Sequence, residues 1–210
     1  MSSEESDAVA VSGEPDWEAS LRKWRRAAVA SAGSRDFVMF WKPLPEFNGG
    51  IGAGCLSQWW PSPFTVDGIE YVTAEHWMMA GKARLFGDEH AHAEVLATRD
   101  PRAAMKAGRR VRGFEEPFWR RERWPLVVAG NVAKFRQNPD LCTYLASTAS
   151  RILVEASPQD RTWGIGLAAD DDRAATPALW QGLNLLGFAL MEARRQLTVG
   201  NKLGYAGQDA

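Results

Sequence analysis

The chain has 210 residues, 45% of them hydrophobic and 24% charged, a composition that fits one soluble globular domain with a modest terminal extension. Its 25 basic and 26 acidic side chains leave a formal net charge of -1, so no bulk positive field gathers nucleic acid or anionic membrane, and polyanion binding has to be local. Cys55 and Cys142 are too few and too far apart for a disulfide scaffold or a CxxC zinc site, which points to a reducing compartment, the cytoplasm.

Residues 1–7 lack the basic start and apolar core of a signal peptide, and no later run is long enough to span a bilayer, so neither secretion nor membrane association is expected. Residues 1–34 are poor in apolar side chains and rich in Ser, Glu, Gly and Ala, which predicts a flexible extension before a domain at 35–200 and a tail at 201–210. Within the extension Trp17, Leu21, Trp24 and Ala28 recur at helical spacing, an amphipathic helix able to dock on the domain or on a partner.

Order begins with a strand at 36–41, stopped by Pro43 and Pro45. The glycine-dense run 48–54 reads either as a flexible turn or as a loop whose amides approach a phosphate, and it lacks the GxGxxG spacing. Asp67-Gly68 between two apolar-alternating runs marks a hairpin. A helix follows at 74–86, with Thr73 as its N-cap and Gly87 just past its end. Glu75 falls in its first turn, where the helix dipole favours the ionised form, and Lys82 lies on the same face two turns on. Helices are predicted at 89–98, 101–109, 117–135, 141–149 and 184–197, with a short strand at 152–156. The pattern is mixed α/β, helix-dominated, with one small sheet.

Metal catalysis has little support. His76, His90 and His92 are the three histidines, and His90 and His92 project to different helix faces. Neither a metal nor a cofactor is expected. Cys142 lies in an apolar helix, where a thiol is buried and inert, and no GxSxG elbow exists. Carboxylates, lysines and indoles remain, and the ten tryptophans give more π-faces than a core needs. Such a set suits cleavage of a ribosyl C–N bond. The oxocarbenium-like transition state wants negative charge beside C1, an acid at the leaving nitrogen and a wall for a flat base. Glu75, Asp160 or Glu155 can supply the charge, and Trp119 and Trp163 the wall. Lys82 or Lys134 offers a second route, attack of a lysine amine on open-chain ribose to form an imine. Each residue also has a plainer reading: Glu75 as a helix-terminus charge, Lys82 as its solvated neighbour, Asp160 as a turn residue before Arg161, Trp163 as a core ring.

Taken together, several segments carry a resemblance. Leu56-Ser57-Gln58-Trp59, Asp67-Gly68, Thr73-Ala74-Glu75-His76-Trp77 with Lys82, Gly108-Arg109, Trp119, Ala133-Lys134-Phe135, Leu153-Val154-Glu155, Asp160 with Trp163-Gly164-Ile165-Gly166, and Trp180 with Gly182 and Asn184 run in one order. Over residues 37–197 the chain resembles the NADAR family of YbiA-like proteins. The resemblance implies a compact α/β fold, hydrolysis of N-glycosidic bonds, and substrates built from ribose phosphates or ADP-ribose. Family roles include hydrolysis of ribosylamino-pyrimidine intermediates of riboflavin synthesis and removal of ADP-ribose from guanine in nucleic acid, as an antitoxin to an ADP-ribosyltransferase. It assigns Glu75, Lys82 and Asp160 as catalytic and Trp119 and Trp163 as the stacking walls. Gly164, Asn184 and Arg109 become substrate-shaping or phosphate-facing, and Ser57 and Lys134 complete the substrate-binding set. Two positions depart from the riboflavin branch: Ile165 stands where an acidic residue tends to follow Trp-Gly, and Gln58 replaces an Asn. Both lean the substrate towards ADP-ribosylated guanine. A pocket that binds ADP-ribose without cleaving it, or a partner-binding role for the 17–26 helix, are the alternatives from other classes.

Overall fold

The structure, a computed structural model, describes residues 16–31 and 37–205. Its frame is a parallel strand pair laid on a helix. β1 (Phe37–Phe40) pairs with β4 (Ile152–Glu155), Phe37 opposite Ile152 and Phe40 opposite Glu155. Ile152, Leu153 and Val154 are all buried, which is why β4 reads as an unbroken apolar run rather than an alternating one. α7 (Leu185–Tyr205) packs on β4 and on the long α5 (Glu116–Gln137). The junction into α7 is made by Asn184, which adopts the left-handed conformation at φ 53. Its Oδ1 accepts from the Glu155 amide at 3.0 Å and its Nδ2 donates to the Leu153 carbonyl at 2.9 Å. One side chain thereby satisfies two groups on the free edge of β4, and the Ile165 amide donates to a third, the Glu155 carbonyl, at 2.9 Å.

β2 (Phe64–Val66) and β3 (Ile69–Tyr71) form the expected hairpin, with positive φ at both Asp67 (51) and Gly68 (78), as a type I′ turn requires. The strands therefore form two separate pairs rather than one small sheet. α2 (Ala74–Leu85) starts at Thr73, whose side chain accepts from the His76 amide, and is buried on nearly every face by α3 (Glu89–Ala97), α4 (Pro101–Arg109) and α5. Gly130 permits a close approach: a Cβ there would lie 2.2 Å from Trp77 Cδ1. The Trp77 indole instead slides over α5 and donates to the Leu126 carbonyl at 2.8 Å. α6 (Pro139–Ser147) begins two residues earlier than predicted, since a proline at the first helical position gives up an amide that had no partner to lose. Cys142 on it is half-buried rather than buried.

α1 (Asp16–Ala30) docks on its own domain. Ala28 is fully enclosed, the Trp17 ring sits 6.0 Å from that of Trp124, and Trp24 Nε1 donates to Glu192 at 3.3 Å. The rest of the predicted extension, residues 1–15 and 32–34, and the end of the predicted tail, 206–210, lie outside the described residues. α7 runs to Tyr205, past the end at 197 set by its apolar spacing. Backbone hydrogen bonds carry a helix beyond its buried face. Removing the Asn184 bridge tests the frame: Asn184→Ala should lose about 2 kcal/mol in urea unfolding, because the buried Leu153 carbonyl and Glu155 amide are left unpaired. An unchanged midpoint contradicts this assignment.

Candidate active site

Both strands of the parallel pair run towards one end, and the chain leaves their carboxyl ends to form a cleft of about 620 Å³. That is where parallel sheets ordinarily hold ligands. After β1 come Trp41, Lys42 and Leu44; after β4 come Gln159, Asp160 and Trp163, with Glu155 as the strand's own last residue. α2 contributes Glu75, Met79 and Lys82, and α4 contributes Arg102, Met105 and Arg109. In each helix the three residues share a face by their spacing. Trp119 of α5 and the Ser57–Gln58–Trp59 segment close the remaining walls.

Glu75 is only 5% exposed, and its amide donates to the Gln58 carbonyl at 3.0 Å. Burial pushes its carboxyl up to about 7, against a hydrogen bond from the Trp59 side chain that lowers it; the Asp160 charge adds to the rise and Arg109 opposes it. The helix-dipole argument for an ionised Glu75 is therefore corrected: desolvation outweighs the dipole of one helix start. Glu155 is pushed up further, to about 8, by burial first and then by Asp160 and Glu75. Asp160 holds its turn as well as facing the cleft, since its Oδ1 accepts from the amides of Thr162 and Trp163, both at 2.7 Å. The plain reading as a turn residue therefore holds, and the same residue also lines the cleft. Those two bonds fix the Trp163 backbone beside the cleft.

The Lys82 ammonium lies 4.2 Å from the Phe114 ring centroid and 5.5 Å from that of Trp119. Its pKa is lowered by burial, with Glu116 pulling up and Arg109 pushing down. A lysine in this setting holds more free amine at neutral pH than an exposed one. The Arg102 guanidinium stands 5.9 Å from the Trp59 ring centroid, and with Lys42 and Arg109 it gives the cleft cationic groups. Among the described residues no group of three His, Cys, Asp or Glu side chains could hold a metal ion.

Of the residues named from sequence, Glu75, Lys82, Asp160, Trp119, Trp163, Arg109 and Ser57 all line this cleft. Three do not. Lys134 is fully buried, donating to the carbonyls of Cys55 at 2.7 Å and Ser57 at 3.0 Å. Its pKa is pushed down to about 7 by burial, but it supports the Ser57 wall from behind and is corrected from substrate contact to scaffold. Asn184 braces β4 as described and is also structural. Gly164 is buried, and a Cβ on it would meet the Glu155 carbonyl at 2.8 Å, so its role is to let the loop close on the strand. Ile165, wholly enclosed, lies away from the cleft lining. The glycine-dense run folds back on its own chain: a Cβ at Gly54 would meet the Leu44 carbonyl at 2.0 Å.

Sequence reasoning left out Trp59, Gln159 and Arg102, and weighed Glu155 only as one of three carboxylates. Arg102 was findable, as it stands seven residues before Arg109 on the same helix. Gln159 is on a loop and carried no periodic signal.

The raised carboxyls have a thermodynamic consequence. A glutamate whose folded pKa lies above its unfolded value binds protons more tightly when folded. Its contribution to stability is full below about pH 4 and is lost as pH climbs through the folded value. Glu75→Gln should therefore match the wild type near pH 5 and exceed its stability near pH 8 by roughly 3 kcal/mol. Thermal unfolding at the two pH values measures this, and a gap that does not widen with pH contradicts it.

The NADAR domain family model matches residues 39–198. N-glycosidase R617 of Acanthamoeba polyphaga mimivirus is 41% identical over 150 residues, covering 69% of this chain and 88% of that protein. N-glycosidase YbiA of Escherichia coli (strain K12) is 31% identical over 137 residues, covering 65% of this chain and 77% of that protein. The NMR structure of E. coli YbiA superposes with a TM-score of 0.64 at 27% identity, covering 84% of this chain and 94% of that one. A chloroplastic riboflavin biosynthesis protein, PYRR, of Zea mays is 31% identical over 140 residues, covering 62% of this chain but 20% of that protein. With a matching profile over most of its length and the fold of a relative, the chain belongs to the NADAR domain family.

Proposed function

We propose that this protein is a hydrolase of N-glycosyl bonds that cleaves the link between a ribose C1 and a base nitrogen, with ADP-ribosylated guanine as the substrate. The enzyme class follows from relatives named N-glycosidase. The observation that carries the reading is the meeting of two carboxyls titrating near neutrality, Glu75 and Glu155, with the indoles of Trp119 and Trp163 in one cleft. Pairs of acids tuned by their surroundings are what proton-dependent glycosyl cleavage needs. The cleft volume of about 620 Å³ is in the range of small-molecule sites, and Lys42, Arg102 and Arg109 suit a phosphorylated ligand.

In this reading the indoles of Trp119 and Trp163 hold the flat base, and the Glu75 carboxylate stabilises positive charge growing at C1. Lys82, whose pKa burial lowers, opens the second route by attacking the ring-opened sugar to form an imine. Asp160 keeps Trp163 in place while adding negative charge. A cytoplasmic location and an ADP-ribosyltransferase counterpart belong to the same proposal, the first supported by two free cysteines; among the described residues no helix is long and apolar enough to cross a membrane.

Riboflavin-pathway ribosylamino-pyrimidine phosphates are the second reading, favoured by the riboflavin protein among the relatives. Incubation with an ADP-ribosylated guanine oligonucleotide and with those phosphates, followed by chromatography, separates the two; release of neither base, with ADP-ribose still bound, leaves a non-catalytic module. Within the glycosidase reading, kcat/KM should fall as pH drops below about 7, where Glu75 takes up its proton. Lys82→Ala should abolish turnover and borohydride should trap substrate on Lys82. Trapping elsewhere, or a rate within about threefold of wild type, counts against the imine route.

A further inference from the structure

We propose that Glu155 is the proton donor of this site, a carboxylic acid that hands its proton to the nitrogen leaving C1. The inference rests on the glycosidase reading and adds a catalytic residue to it. Glu155 ends β4 at the mouth of the parallel pair and lines the cleft. Its backbone is pinned by the Asn184 side chain, itself wholly buried. Its carboxyl, by contrast, has been given nothing: Oε2 is sealed from solvent with no hydrogen-bond partner among the described residues.

An ionised carboxylate buried in that way would cost several kcal/mol, and the charges acting on it make matters worse, because they are Glu75 of α2 and Asp160 of the following loop. The cations of the cleft, Lys42, Lys82, Arg102 and Arg109, also line it, yet none forms an ion pair with Glu155. The neutral acid is the form this setting favours, and the same setting leaves Glu75, with a Trp59 hydrogen bond and Arg109 to help it, as the easier of the two to ionise. Two acids separated by environment divide the labour of acid and base.

The step balances as follows. As the C1–N bond breaks, its electron pair leaves with the nitrogen, and the Glu155 proton follows to that atom. One water adds to C1 and yields a proton to the Glu75 carboxylate. The proton gained by Glu75 then replaces the one lost by Glu155, so the pair ends at its starting charge.

The test uses the full chain and ADP-ribosylated guanosine, with products separated by chromatography between pH 5.5 and 9. Wild-type kcat should decline on the alkaline side. Glu155→Gln should lose about 100-fold or more in kcat with KM within about threefold, and should lose the alkaline limb. Glu155→Asp, which keeps an acid, should retain that limb at a reduced rate, and it decides the matter alone if the glutamine variant fails to fold. A glutamine variant within about threefold of wild type, or either variant with the opposite pH behaviour, overturns the proposal. The assay runs on whichever of this probe and the ribosylamino-pyrimidine phosphates the wild type turns over; inactivity on both removes the glycosidase reading together with the proton donor, whereas an active wild type and an unaffected Glu155→Gln remove the proton donor only.

Discussion

The cleft depends on one polar bridge. Asn184, held in a left-handed conformation at the start of α7, satisfies both the Leu153 carbonyl and the Glu155 amide. A parallel pair of only two strands has little to hold its outer edge, and a buried unpaired amide or carbonyl is costly. By satisfying these two groups, Asn184 fixes where β4 ends and which way the chain turns. The turn carries Glu155, Gln159, Asp160 and Trp163 to the wall opposite α2 and α4. The Asp160 carboxylate repeats the device one step on, catching the amides of Thr162 and Trp163.

The site is built at the expense of stability. Glu75 is buried and Glu155 half-buried with its Oε2 enclosed, and among the described residues neither forms an ion pair with a cation. Elsewhere the chain pairs its buried acids well: Asp88 accepts from both the backbone and the guanidinium of Arg112, which holds it far below the usual carboxylate range, and Glu192 engages Arg195, Gln196 and Trp24. Among the described residues, enclosed acids without an ion pair gather at the cleft, which is what a site tuned for proton transfer looks like.

Most of the fold was legible because its signals are local. Thr73 and Pro101 mark helix starts, and Asp67-Gly68 marks the hairpin. The shared faces of Glu75 with Lys82 and of Arg102 with Arg109 follow from helical spacing alone. What spacing does not carry is depth. Lys134 and Asn184 belong to the same ordered series of motifs as the cleft residues, but the side chain of one points beneath the Ser57 wall and that of the other along a strand edge. Conversely the raised pKa values of Glu75 and Glu155 arise from burial and from the Asp160 charge, with Glu75 adding to the rise in Glu155, which no window of sequence encodes. The pairing of β1 with β4, more than 100 residues apart in the chain, is of the same kind.

The proposed ligand, a sugar nucleotide held between the cleft's indoles, can be tested through the chain's ten tryptophans. Indole N–H signals recorded by NMR while free ADP-ribose is titrated in should shift for Trp59, Trp119 and Trp163, and stay fixed for Trp17, Trp77 and Trp124, which serve the core and the α1 contact. Shifts confined to that second group, or no saturable shift at all, would contradict it.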